Sequence, residues 1–130
     1  MYSNNDKSKN QYPKCGEIWM CNLHSFGKSV QVGYRPVFIL SNDKNNTYSP
    51  TLNVIPLTTK MNKRRLPIHV ELWEPEKYGL REPSTLLIEQ IMTISNDSLS
   101  HKIGDITDPC VLKQISSAIQ IQFPVMSLIA

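Results

Sequence analysis

Five short apolar runs separated by turn-forming residues constrain the fold of this chain more than any other feature of its sequence. The runs span residues 16–23, 35–41, 51–58, 66–72 and 84–94. Runs of this length bounded by turn residues are typical of strands. The segment 41–50 between two of them supplies Asn, Asp, Ser and Pro, which favour turns. We therefore predict one strand for each run.

The fourth run alternates apolar and polar side chains. Its apolar members are Leu66, Ile68, Val70 and Leu72, and its polar positions hold Pro67, His69 and Glu71. A period of two residues indicates a strand with one buried face and one solvated face. The predicted sheet therefore has an inside and an outside, and His69 is predicted to lie on the solvated face.

Helical signals follow the last apolar run. Residues 95–97 are candidate caps for a short helix at Ser98–Lys102. Asp108 followed by Pro109 predicts the start of a second, amphipathic helix, which Pro124 then ends. Strands followed mainly by helices predict a mainly β fold, a small barrel or strongly curved sheet covered by the C-terminal helix.

The chain has 130 residues, which is enough for one hydrophobic core, and no apolar run approaches the roughly 20 residues that cross a bilayer. Residues 1–14 are nearly free of aliphatic side chains, which predicts a disordered tail before a single domain at 15–130. The N-terminus has no apolar core for export, so we expect a cytoplasmic protein without a membrane segment. Cys15, Cys21 and Cys110 have no zinc-ligand spacing, and we expect reduced thiols and no metal.

Positive charge is concentrated in one short segment. The chain carries 14 Lys and Arg against 11 Asp and Glu, and the net charge of +3 does not by itself imply a polyanionic partner. Lys60, Lys63, Arg64 and Arg65, however, fall within six residues. A solvated loop is the simpler interpretation of this cluster, and a surface that holds phosphates is the alternative.

Common signatures of nucleotide-binding and hydrolytic sites, such as GxGxxG, GxxxxGK[ST], HExxH and GxSxG, do not occur. Arg35 precedes Pro36, which restricts Arg35 to extended conformations and presents its guanidinium from a rigid strand end. That guanidinium can bind a phosphate with two hydrogen bonds or lie on the surface as an ordinary strand-end arginine. Thr58 and Thr59 end the third predicted strand, where a hydroxyl can donate to a phosphoryl oxygen or satisfy a turn.

Four blocks of sequence extend these local signals over most of the chain. In order they are SVQVGYRPVFILSND, SPTLNVIPLTTK, LPIHVEL and GLREPSTLLIEQIMTI. Together, with the gaps between them, they resemble the MazF/PemK family of toxin endoribonucleases from about Gly16 to Ile106. The resemblance implies an SH3-like barrel with a C-terminal helix, a homodimer, and cleavage of single-stranded mRNA without metal or cofactor. The implied products carry a 2′,3′-cyclic phosphate and a 5′-hydroxyl, and translation and growth are inhibited.

The resemblance also assigns roles to individual residues. Arg35 matches the catalytic arginine of the family's G-x-R-P block, and Thr58 matches the threonine that ends its third core strand. Ser29, Gln31, Gly33 and Gln90 match blocks associated with RNA contact. We expect the remaining RNA-binding residues in and beside the basic segment, at Thr59, Lys60, Lys63, Arg64 and Arg65. An acidic antitoxin of the MazE type is the expected protein partner.

Two departures from the family pattern leave alternatives open. Val30 stands where the family usually has a glutamate, and Met92 stands where it usually has an arginine. A weakly catalytic or non-catalytic protein that binds RNA or antitoxin is therefore one alternative. A gyrase-directed toxin is another, although no tryptophan follows Trp73 in this chain. The base that accepts the 2′-hydroxyl proton is also open among Arg35, His69 and water.

Overall fold

The computed structural model describes residues 12–23, 33–59 and 66–129. The strands in these ranges are β1 (Glu17–Leu23), β2 (Gly33–Ile39), β3 (Thr51–Thr58), β4 (His69–Leu72), β5 (Ser84–Leu87), β6 (Met92–Ser95) and β7 (Leu99–Asp105). The α-helices are α1 (Asp43–Tyr48) and α2 (Pro109–Gln122). Short 3₁₀ turns lie at Pro75–Tyr78, Ile88–Gln90, Asn96–Ser98 and Val125–Leu128.

β3 is the central strand of an antiparallel sheet. One edge of β3 pairs with β2, and the other edge pairs first with β6 and then with β5. β1 joins β2 to β7, and β4 lies outside β5. The turn Asn96–Ser98 links β6 directly to β7, at the two ends of the five-strand path β6-β3-β2-β1-β7.

The sheet is therefore curved like a barrel but open. Among the described pairs of strands, none joins β6 to β7. The predicted mainly β fold with a C-terminal helix is confirmed, in this loosely barrel-like form.

Two hydrophobic clusters lie on opposite faces of the strands. The first contains Ile115 and Ala118 of α2 together with Val70 and Leu72 of β4 and Leu86 of β5, so α2 covers this face as predicted. The second contains Cys21, Val37 and residues of β3, β6 and β7. Because side chains alternate along a strand, neighbouring residues of β1 and β2 enter different clusters.

The C-terminal part of the predicted secondary structure is partly wrong. Residues 98–102 do not form a helix, because Leu99–Asp105 pairs with β1 and continues the sheet. The cap at Ser95 is real, but it serves only the 3₁₀ turn, where its hydroxyl accepts from the amide of Asp97. The run 84–94 is two strands rather than one, because the turn Ile88–Gln90 interrupts it.

The segment 41–50, predicted as a turn, contains the short helix α1. The side chain of Asn42 caps α1 by accepting from the amide of Asn45 at 2.8 Å. A second asparagine, Asn46, is 1% exposed, and its amide group donates to the carbonyl of Ser41 at 2.9 Å. Side chains that are typical of turns therefore stabilise the short helix α1 here.

The described chain begins before the predicted domain boundary. Residues 1–11 of the predicted tail lie outside the described residues. Tyr12 packs against the second cluster, Pro13 is buried, and the amide of Lys14 donates to the carboxylate of Glu17 at 2.8 Å. The packed part thus starts at least as early as Tyr12, and the division into tail and domain stays a prediction. None of the described helices has the length and hydropathy needed to cross a bilayer.

Candidate functional site

Arg35 and Thr58 lie on one face of the sheet, at the same end. The ladder between β2 and β3 pairs Val37 with Pro56. Arg35 lies two residues before Val37 on β2, and Thr58 lies two residues after Pro56 on the antiparallel strand β3. Because side chains alternate along a strand, both project from the face of Val37 and Pro56, at the same end of the sheet. Arg35 is half-buried and Thr58 is 6% exposed. The two predicted catalytic residues are therefore brought together, and their catalytic role stays a prediction.

The same face carries three further side chains in register with this pair. Cys21 of β1 pairs with Arg35. On the other side, Thr85 of β5 pairs with Thr58, and Glu71 of β4 pairs with Thr85. A thiol and a guanidinium paired across β1 and β2, and two hydroxyls and a carboxylate paired across β3, β5 and β4, thus form a row of polar side chains on this face. Local sequence signals did not identify Cys21, Thr85 or Glu71, because only the strand register relates them to Arg35.

Burial determines the electrostatic character of this row. Cys21 is 0% exposed, and burial raises the pKa of its thiol to about 12. The thiol is therefore neutral at physiological pH and adds no negative charge opposite Arg35. Thr85 is 2% exposed, so both threonine hydroxyls lie out of bulk water. In such surroundings a hydrogen bond to a charged phosphoryl oxygen is stronger than in water.

Gln90 lies at the end of the 3₁₀ turn Ile88–Gln90 and is half-buried. Its neighbour Glu89 contacts His69 of β4, with 2.8 Å between Oε2 and Nε2. The side chain of His69 is only 6% exposed, so its predicted place on a solvated face is wrong. As the alternating pattern predicts, His69 is not part of the first cluster. Its imidazole is nevertheless shielded from solvent on the other face of β4, where it contacts Glu89.

Most of the other predicted RNA-binding residues lie outside the described residues. These are Ser29, Gln31, Lys60, Lys63, Arg64 and Arg65. Gly33 and Thr59 are described, and both are exposed. Because β2 and β3 are antiparallel, the start of β2 at Gly33 and the residue after β3, Thr59, lie at the end of the sheet that holds Arg35 and Thr58. Gly33 has a φ of 87°, a conformation that glycine adopts without strain.

The described ranges contain no group of three or more His, Cys, Asp or Glu side chains placed to hold a metal ion. Cys15, Cys21 and Cys110 are free cysteines. The described site itself offers the guanidinium of Arg35 and the hydroxyls of Thr58 and Thr85 as hydrogen-bond donors, beside the carboxylate of Glu71.

Comparison with known proteins places this geometry in a family. The sequence profile for "PemK-like, MazF-like toxin of type II toxin-antitoxin system" matches residues 14–123. The chain belongs to this PemK/MazF family. The family predicted from the four sequence blocks is therefore confirmed.

Individual relatives agree with this assignment. Endoribonuclease MazF of Staphylococcus saprophyticus is 39% identical over 106 residues, which cover 82% of this chain and 87% of that protein. Mycobacterium tuberculosis toxin MazF-mt6 has a TM-score of 0.69 at 24% identity, covering 83% of this chain and 96% of the other. An endoribonuclease from Mycobacterial species, solved in complex with its cognate antitoxin, has a TM-score of 0.68 at 22% identity, covering 87% and 96%. These two solved structures are similar to the chain in fold.

Of the two departures from the PemK/MazF pattern, Val30 lies outside the described residues. Met92 pairs with Val54 of β3, is half-buried and packs against the second cluster. A methionine fills irregular apolar space well, which explains why the thioether is accommodated here. The change therefore exchanges a cation for packing at the edge of the barrel-like sheet.

Proposed function

We propose that this chain is an endoribonuclease toxin that cleaves single-stranded mRNA in the cytoplasm and so inhibits translation and growth. The proposal rests on one observation, that Arg35 and Thr58 lie on the same face of the sheet and at the same end of it. The similarity to an endoribonuclease at 39% identity over most of both chains supports it. This chain thus combines the fold of the family with two hydrogen-bond donors, Arg35 and Thr58, that are suited to bind a phosphodiester.

The reaction we propose needs no water in its first step. The ribose 2′-oxygen attacks the adjacent phosphorus, the new P–O2′ bond forms, and the P–O5′ bond breaks. The 2′-hydroxyl loses its proton and the leaving 5′-oxygen gains one, which yields a 2′,3′-cyclic phosphate and a 5′-hydroxyl. Negative charge increases on the non-bridging oxygens as the phosphorus becomes five-coordinate, and that charge is what the protein must stabilise.

Arg35 is the principal stabiliser in this mechanism. Its guanidinium can donate two parallel hydrogen bonds to phosphoryl oxygens. The hydroxyl of Thr58 completes the set by donating to a further oxygen. Because both groups are fixed before the substrate arrives, they act as a preorganised oxyanion site.

The basic segment 60–65 and the residues beside it hold the phosphates that flank the scissile bond. Ser29, Gln31, Gly33, Thr59 and Gln90 contact the nucleotides around it. Unpaired bases are available for recognition only in single strands, which fits a single-stranded substrate. We propose in addition that the active species is a homodimer and that an acidic antitoxin occupies the cationic surface. The relative solved with its cognate antitoxin supports the last point.

Incubation of the purified protein with a long RNA of mixed sequence tests this function. We expect cleavage at a limited set of sites, cyclic phosphate and 5′-hydroxyl ends, and an unchanged rate in excess EDTA, because the stabilising groups belong to the protein. Loss of cleavage on chelation, with recovery on adding a divalent ion, would contradict the mechanism. RNA binding without any cleavage would instead support the non-catalytic alternative.

A further inference from the structure

A cavity of about 450 Å³ lies among β1, β2, β7 and the segment 79–84. The apolar side chains that line it are Met20, Pro36, Leu80 and Ile103. The polar and aromatic side chains that line it are Tyr34, Thr59, Arg81, Glu82, Ser84 and His101. We call this cavity the Tyr34 pocket.

The Tyr34 pocket is directly behind the proposed cleavage site. Tyr34 and Arg35 are successive residues of β2, so their side chains project from opposite faces of the sheet. Thr59, which also lines the pocket, is the residue directly after Thr58 at the end of β3. The pocket and the cleavage site therefore involve successive residues at both positions, Tyr34 and Arg35 on β2 and Thr58 and Thr59 at the end of β3. Both lie at the end of the sheet that holds Gly33 and Thr59, so an RNA whose scissile phosphate is at Arg35 contacts the pocket when its chain passes around that end.

The ring of Tyr34 is oriented before any ligand arrives. Its hydroxyl donates to the Oγ of Ser100 at 3.0 Å, and that Oγ lies 2.9 Å from Nδ1 of His101. At the same time 57% of Tyr34 is exposed. A ring held at its hydroxyl end with its surface open to solvent loses little conformational freedom when a flat ligand stacks on it.

The rest of the pocket matches a nucleotide better than an apolar ligand. Arg81 and Thr59 are exposed donors suited to a phosphate. Glu82 is an acceptor suited to the amino group of a base, and Met20 and Ile103 provide apolar walls. The most exposed aliphatic side chains of the described residues lie elsewhere, at the C-terminal residues Met126, Leu128 and Ile129. A second copy of the chain therefore has a more apolar surface to bind than this pocket.

We propose that the Tyr34 pocket binds a nucleotide that flanks the scissile phosphate, with its base stacked on Tyr34 and its phosphate held by Arg81. This inference rests on the proposed function, because the ligand is a part of the RNA that is cleaved. Tyr34 is thereby a substrate-binding residue outside the chemical step, and it extends the RNA contact from one face of the sheet to the other.

Three variants test the stacking contact, with Tyr48→Ala as the matched control. Tyr48 is also a surface tyrosine, 81% exposed, but it belongs to α1. Tyr34→Ala is expected to weaken the affinity for fluorescein-labelled mixed-sequence RNA about 5- to 150-fold, the range for one lost base–aromatic stack. Tyr34→Phe keeps the ring and is expected to weaken binding less than about 5-fold, and Tyr48→Ala to leave it unchanged. Circular dichroism and size-exclusion mass check fold and assembly.

Arg81→Gln tests the phosphate contact independently. Removal of one phosphate contact lowers the slope of log affinity against log salt by about 0.7 for a single strand. Kinetics on the same long RNA are expected to show a higher KM for Tyr34→Ala with kcat and end chemistry unchanged, because the stack is remote from the reacting atoms.

The outcomes separate this inference from the proposed function. Wild-type cleavage combined with wild-type affinity in Tyr34→Ala would overturn the inference and leave the nuclease intact. Absence of both cleavage and RNA binding in the wild type would overturn both. RNA binding without cleavage, still weakened by Tyr34→Ala, would support the pocket and reject the nuclease. A changed oligomeric mass in Tyr34→Ala with unchanged RNA affinity would show that a second copy covers the pocket, and would overturn the inference.

Discussion

Gly79 and Gly104 pack backbone against backbone. A Cβ atom added to Gly79 would overlap the carbonyl of Ile103, and one added to Gly104 would overlap the carbonyl of Tyr78. The contact joins the turn that follows β4 to the outer strand β7, at opposite ends of the sheet path. Since Gly79 also lines the Tyr34 pocket, this contact positions one wall of that pocket.

Alanine substitutions at two glycines are expected to separate backbone strain from steric overlap. Gly33 has a φ of 87° but nothing within 4 Å of an added Cβ, so Gly33→Ala is expected to cost about 1–2 kcal/mol from strain alone. Gly79 has a φ of 76° as well as the overlap, so Gly79→Ala is expected to cost about 1–3 kcal/mol more than Gly33→Ala. Urea unfolding monitored by circular dichroism measures the differences. Equal losses for Gly33→Ala and Gly79→Ala would show that the backbone contact relaxes freely.

Asp108 begins α2, but its carboxylate does not cap the helix. It accepts from the hydroxyl of Tyr78 at 2.8 Å, and Lys77 lies 3.4 Å from the same oxygen. Burial alone would raise the pKa of Asp108, but the hydrogen bonds and the attraction of Lys77 outweigh burial and lower it. Burial and the bond to Asp108 raise the pKa of Tyr78 to about 12. The pair therefore connects the turn Pro75–Tyr78 to the start of α2.

The pH dependence of stability follows from these directions. The contribution of Asp108 is present above the pKa of an unfolded aspartate and is lost as pH falls through its lower folded value. The contribution of Tyr78 is present below the ordinary pKa of 10 and is lost as pH rises toward about 12. Tyr78→Phe is expected to lower the free energy of unfolding by about 1–3 kcal/mol and to make stability depend less on pH at both the acidic and the alkaline end. Urea midpoints measured from pH 2 to 11 check this. A pH dependence as steep as that of the wild type would contradict the assignment.

Local signals predicted the parts of this fold that local interactions determine. Asp108 and Pro109 correctly predict where α2 starts, because the preference of proline for the first helical position acts within one helical turn. The cap itself does not form, because the carboxylate of Asp108 binds the hydroxyl of Tyr78 instead. The error at 98–102 has the opposite cause, since the pairing of β7 with β1 overrides the cap at Ser95. Long-range pairing is not visible in a sequence window of this size.

The candidate site likewise contains residues that the sequence predicts and residues that only the strand pairing relates to them. Arg35 and Thr58 were identified through the sequence blocks, but their neighbours Thr85 and Glu71 became apparent only through the strand register. The sequence around Tyr34 does not predict a binding role, because the orientation of its ring depends on the hydrogen bond to Ser100, 66 residues away.

Arg35 is expected to dominate the rate. Arg35→Ala should lower cleavage at least about 100-fold, the scale for removal of a preorganised oxyanion donor, while the circular dichroism spectrum stays the same. Arg35→Lys should recover only part of the rate, because an ammonium lacks the two-pronged geometry of the guanidinium. Lys44→Gln, on the surface of α1, is the matched loss of a positive charge outside the RNA-binding residues. A near-normal rate for Arg35→Ala would move the chemistry to other residues.

Inhibition by an acidic antitoxin is expected to be competitive with RNA and to weaken with salt. The screening length falls from about 10 Å at 0.1 M to about 3 Å at 1 M ionic strength, so attraction to the segment 60–65 decreases. The double variant Lys63→Gln, Arg64→Gln should show weaker inhibition and less salt dependence, whereas Lys44→Gln, Lys113→Gln should behave as the wild type. Titration of an acidic antitoxin peptide at several RNA and salt concentrations measures this. Inhibition that does not change with RNA concentration would contradict a shared surface.

The two departures from the family pattern, Val30 and Met92, are expected to change base preference and to leave the reaction itself unaltered. Neither supplies the proposed oxyanion contacts, whereas each lost polar contact to a base is worth about 1–3 kcal/mol of discrimination. Val30→Glu combined with Met92→Arg should therefore move the cleavage sites on a long RNA while the cyclic phosphate ends persist. Because Met92 packs against the second cluster, Met92→Leu is the control for packing without charge. An unchanged site pattern would contradict this prediction. Cleavage that appears only in the restored protein, with RNA binding in both proteins, would establish that the natural chain binds RNA without cutting it.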